Sequence, residues 1–170
     1  AEVKVLQRLC DQGGATGDCA ERITGSLAKA WPGTSSTTVA AIAPQRLSQL
    51  AWLGIDADTI KRLEPWVDVL PDLQAKVNVN TAPAEVIAAA VEDMSLGHAQ
   101  RLVQDRQRTP LKDLGSTTSL GYFPVTLKRP LGEVLSVSTN FFIIQGRLRL
   151  EERVLEERSL VQRVQLEIVV

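Results

Sequence analysis

One histidine, one methionine and two cysteines are all that 170 residues hold of those types, and aromatic side chains make up only 4%. A Ser–His–Asp arrangement would have to be built on His98 alone, and two thiols with one distant imidazole fall short of a zinc ligand set. Nor is there a basic excess: 19 Lys and Arg stand against 20 Asp and Glu, which argues against a dedicated nucleic-acid binder and gives no reason to dock on anionic membrane. No run of about 18 apolar residues is present, and no charged-then-apolar leader opens the chain. The first residues instead read as the middle of a helix (Val3, Leu6, Leu9), without cap or initiator Met, as expected of a truncated piece.

What is present is a globular composition, 44% hydrophobic and 23% charged, in a length that suits one domain or two small ones. Apolar spacing predicts a helix over 2–10 and a second from Ala20 to Trp31, stopped by Pro32-Gly33. Between them Cys10 and Cys19 flank a glycine-rich loop. They either close a disulfide, with a modest entropic gain for so short a loop, or stand as two partly buried thiols. A unit then occurs twice. Pro44 leads through Leu47 and Leu50 to Gly54 and a helix carrying Ile60 and Leu63. Pro83 leads through Val86 and Ile87 to Gly97 and a helix carrying Leu102 and Val103. Proline at a helix start costs no hydrogen bond, so both read as helix–hairpin–helix units, near 43–70 and 80–114. Val77-Asn78-Val79 reads as a short extended entry, with Asn80 or Thr81 as the cap of the helix that follows.

Gly, Ser, Thr and Pro without period make 116–134 a long loop, least ordered around Gly115–Tyr122. Beyond it the period changes to two. Phe142, Ile144, Leu148 and Leu150 share one strand face and Arg147 and Arg149 the other. Glu151-Glu152 breaks the run, Val154 to Gln162 resumes it, and Gly146 marks a bulge or bend. The expected class is α+β: a helical domain over 1–115 with tandem helix–hairpin–helix units, the loop 116–134, and antiparallel strands over 135–170.

Little of this suggests chemistry. Gly13-Gly14-Ala15-Thr16-Gly17 lacks the lysine and the strand of a phosphate-binding loop. Calcium would find only Asp56 and Asp58, or Asp11 and Asp18 beside the cysteine loop, and two carboxylates make a weak site. Asp56 reads better as a helix cap. Glu151, Glu152, Glu156 and Glu157 with Arg147, Arg149, Arg153 and Arg158 suit either a solvated sheet face or a polar contact surface for a neighbouring subunit. No catalytic residue, metal ligand or cofactor is assigned.

Val77-Asn78-Val79-Asn80-Thr81-Ala82-Pro83-Ala84-Glu85-Val86 resembles the central motif of minor pseudopilin K of type II secretion systems. Arg147-Leu148-Arg149-Leu150 and Glu156 to Arg163 resemble that family's final strands, and Val5 to Leu9 the first helix of its inserted helical domain. The resemblance implies a non-enzymatic pseudopilus-tip subunit in a pilin-like α/β fold with a helical insertion. It implies assembly with the I- and J-type minor pseudopilins, and a periplasmic location under a missing N-terminal membrane helix in a Gram-negative inner membrane. An exported location favours the disulfide. Where some members carry calcium-binding carboxylates, Ala30-Trp31-Pro32-Gly33-Thr34 has none, so no ligand is carried over. The alternative is a helix–hairpin–helix DNA-binding protein of competence type, which shares the central motif and resembles Arg106 to Leu114. It needs a glycine–hydrophobic–glycine turn to meet phosphate, and here Ser95-Leu96-Gly97 stands beside Glu92 and Asp93.

Overall fold

The structure, a computed structural model, describes residues 2–15, 17–30, 42–71, 75–115, 121–124, 127–165 and 167–169. It opens with two helices, α1 (Glu2–Gln12) and α2 (Cys19–Ala30). Leu9 and Cys10 of α1 and Cys19, Ala20 and Ile23 of α2 are buried against each other, as the helical spacing of their apolar side chains requires. Cys10 and Cys19 form a disulfide across a Cα–Cα distance of 6.1 Å. The expected extension of α2 to Trp31 and the comparison at 31–34 lie outside the described residues.

The first repeated unit departs from its expected form. The segment after Pro44 is a 3₁₀ helix, Leu47–Leu53, closed by Gly54 at φ +83°. Seven residues are long for such a tight helix; its start is held by Gln49 Oε1, which accepts from Gln45 N at 2.7 Å and Arg46 N at 3.2 Å, and its end by the left-handed Gly54. Helix α3 (Ala57–Leu63) follows, and Asp56 caps it as expected: Thr59 N donates to Oδ1 at 2.8 Å and Thr59 Oγ1 to Oδ2 at 2.9 Å.

Strand β1 (Val77–Asn78), helix α4 (Ala84–Ala90) and helix α5 (Leu96–Arg108) form the second unit. Gly97 was expected in the hairpin turn, but it lies inside α5. The turn is made by residues 91–95, with Asp93 at φ +63° and Ser95 capping α5 by accepting from His98 N at 3.2 Å. Aspartate tolerates the left-handed region better than most residues.

Within 116–134, read above as loop, a one-turn helix α6 occupies Leu131–Val134. Tyr122, Phe123 and Leu131 are buried against Val79, Ile87, Leu102 and Leu135. Residues 116–120, at the centre of the stretch expected to be least ordered, lie outside the described ones. Strand β2 (Leu135–Ser136) pairs in parallel with β1, so the boundary placed at 135 runs through this core. A second cluster joins Leu9, Cys10, Cys19, Ile23, Leu47, Leu50 and Leu63 to Ala89 of α4. Helix α4 sits between the clusters, and its alanines let α1 approach closely enough for Arg8 Nη1 to donate to Ala89 O at 2.7 Å. Ile87, Leu102 and Leu63 are fully buried, each worth about 1.5–3 kcal/mol of transfer free energy.

The C-terminal residues form the expected antiparallel sheet, β3 (Phe141–Leu150), β4 (Arg153–Val164) and β5 (Glu167–Val169), in that order. Phe141 pairs with Gln162 and Leu150 with Arg153, so Glu151-Glu152 is a two-residue hairpin turn, with Glu151 at φ +54°. Gly146 makes no bulge. It pairs with Glu157 inside an unbroken ladder, because an extended backbone gives it the same register as its neighbours.

Candidate functional site: the Asn80 junction and the C-terminal sheet

The central motif builds a junction between three distant segments. Val77 and Asn78 pair with Leu135 and Ser136, and Val79, fully buried, donates its N–H to Ser136 O at 2.8 Å. Asn78 O then accepts from Ala82 N at 2.8 Å and Thr81 N at 3.1 Å, turning the chain toward α4. Asn80 Nδ2 donates to Leu111 O at 2.9 Å and to Val137 O at 3.0 Å, while Leu111 N donates to Asn80 Oδ1 at 2.9 Å.

Neither Asn80 nor Thr81 caps α4, contrary to expectation. Pro83 occupies the cap position without a side-chain bond, and the Asn80 carboxamide, three residues earlier, is engaged elsewhere. Glu85 lies half-buried in the first turn of α4, where its charge opposes the helix dipole favourably. Arg106 Nη1 donates to Val79 O from a partly buried position, and that burial lowers the pKa of its guanidinium. Arg106 and Asn80 together tie the end of α5 and the segment at Leu111 to the motif, a role that the sequence spacing did not announce.

The other candidate residues do not converge. His98 is exposed in the first turn of α5. The Asp56 carboxylate is held to about pKa 2, chiefly by the Thr59 backbone N–H, with the Thr59 hydroxyl and Arg22 assisting. Asp58 pairs with Arg62 at 2.8 Å. Both carboxylates are thus engaged by side chains of this chain. Among the described residues no group of three or more His, Cys, Asp and Glu gathers in a metal-binding arrangement. At the turn before α5, Lys128 Nζ reaches Glu92 at 2.9 Å and Asp93 at 3.4 Å. Its hydrogen bond lowers the Glu92 pKa, and the same contact raises that of Lys128.

The sheet meets the helical body across a cleft of about 570 Å³ lined by Leu47, Ile60, Lys61, Asp68, Ile143 and Arg158. Arg158 Nη2 spans it to Asp68 Oδ2 at 3.2 Å. Away from that clasp the hairpin stands in solvent. Arg147 pairs with Glu156 at 3.2 Å, the Arg163 guanidinium lies 5.7 Å from the Phe142 ring centre, and an apolar row remains uncovered: Phe142 is 43% exposed, Ile144 50%, Leu148 66% and Leu150 70%. Contiguous exposed apolar side chains of this kind mark contact surfaces. Among the described residues the arrangement offers shape and contact area, and the candidate residues named above do not converge.

Residues 77–138, the junction and its surroundings, match the family model for type II secretion system (T2SS), protein K. The chain is 31% identical over 127 residues to the type II secretion system protein K of Pectobacterium carotovorum subsp. carotovorum, covering 70% of this chain and 39% of that protein. It is also 31% identical over 124 residues to that of Dickeya chrysanthemi, covering 70% of this chain and 35% of that protein. The chain therefore spans well under half the length of these relatives. Its fold resembles a chain in the crystal structure of the GspK-GspI-GspJ complex from the enterotoxigenic Escherichia coli type 2 secretion system. The TM-score is 0.74 at 20% identity, over 98% of this chain and 67% of that one. By this central motif, by identity to two K proteins and by fold, the chain belongs to the type II secretion system protein K family, of which it represents a segment.

Proposed function

We propose that this segment is the helical and strand-bearing part of a K-type minor pseudopilin, a non-enzymatic subunit that joins I- and J-type minor pseudopilins at the tip of the pseudopilus. It supports protein export across the outer membrane from a periplasmic position, with an apolar helix of the longer protein held in the inner membrane. The observation that carries this reading is the fold likeness over 98% of the chain to a chain of the GspK-GspI-GspJ complex. In this reading the helical body is a bulky cap that stops further subunits from adding above it, and the sheet makes the lateral contacts. The exposed apolar row on β3 supports the second role.

Nucleic acid is a poorer partner for the same structure. Glu92 and Asp93 sit at the turn whose backbone amides would have to meet phosphate, and like-signed charge there opposes the approach. Mixing the chain with soluble I- and J-type minor pseudopilins and measuring complex mass by light scattering tests the proposal. A stable ternary species is the expected result, and three persistent monomers would overturn it. A low-salt gel shift with duplex DNA should show no complex.

A further inference from the structure

We draw no further inference here: the strongest candidate, the cleft of about 570 Å³ between α3 and the sheet that Arg158 and Asp68 bridge, carries nothing because the chain spans well under half the length of its relatives and nothing in the structure shows whether the rest of the same protein or a partner fills it.

Discussion

Asn80 grips both backbone polar groups of Leu111: the carboxamide oxygen accepts from Leu111 N and the carboxamide nitrogen donates to Leu111 O, each at 2.9 Å. A third bond, to Val137 O at 3.0 Å, uses the remaining donor. A neutral intramolecular hydrogen bond contributes about 0.5–1.5 kcal/mol net, so Asn80→Ala should cost about 2–3 kcal/mol in urea unfolding. Asn80→Asp should cost more, because it points a carboxylate at two carbonyl oxygens. A loss under 0.5 kcal/mol for both variants would refute the junction.

The partners of Asn80 lie 31 and 57 residues away, and this is why the junction was hidden from a reading of sequence alone. An asparagine ahead of a proline and a helix looks locally like a cap, and only the fold shows that its side chain is engaged elsewhere. Helical spacing exposed α1, α2, α3 and α5, and period-two alternation exposed β3 and β4, because each rests on contacts made within the element or with its neighbour. Tyr122 and Phe123 looked like loop residues among Gly, Ser and Thr, yet both complete the core. The 3₁₀ form of Leu47–Leu53 was equally out of reach, since its apolar spacing also fits an α-helix.

The Cys10–Cys19 disulfide joins α1 to α2 inside the second core cluster, with both cysteines at 1% exposure or less. Closing so short a loop stabilises by about 3 kcal/mol in the chain-entropy picture. For a domain of this size that corresponds to a Tm shift on the order of 10 °C. The Cys10→Ser, Cys19→Ser double variant should show that decrease in calorimetry, and the parent chain should show it only after reduction in denaturant, since neither sulfur is open to reductant in the folded state. An unchanged Tm would mean that α1 and α2 hold together without the link.

Asp56 should give the cap of α3 a pH signature. Its carboxyl titrates at about 2 in the folded chain against an ordinary 3.8, mainly because the Thr59 backbone N–H bonds the charged form. A depressed folded pKa contributes stability that is fully present above the unfolded value and is lost as pH falls through the folded one. The stability difference between parent and Asp56→Asn should therefore be constant near neutral pH and shrink between about pH 4 and pH 2. Urea midpoints measured across that range read it directly, and a difference independent of pH would remove the carboxylate from the cap.

Gly54 and Gly146 should respond in opposite ways to the same change. Gly54 closes the 3₁₀ helix at φ +83°, a region that puts an L-residue's Cβ against its own carbonyl, so Gly54→Ala should destabilise by about 1–2 kcal/mol. A Cβ at Gly146 would meet nothing within 4 Å, and the residue lies in a regular ladder. There Gly146→Ala removes unfolded-chain freedom without native strain, and should be neutral or stabilising by about 0.5 kcal/mol. Paired urea titrations of the two variants separate a glycine required by backbone geometry from one that the strand tolerates. A large loss at Gly146 would mean that the hairpin carries a bend after all.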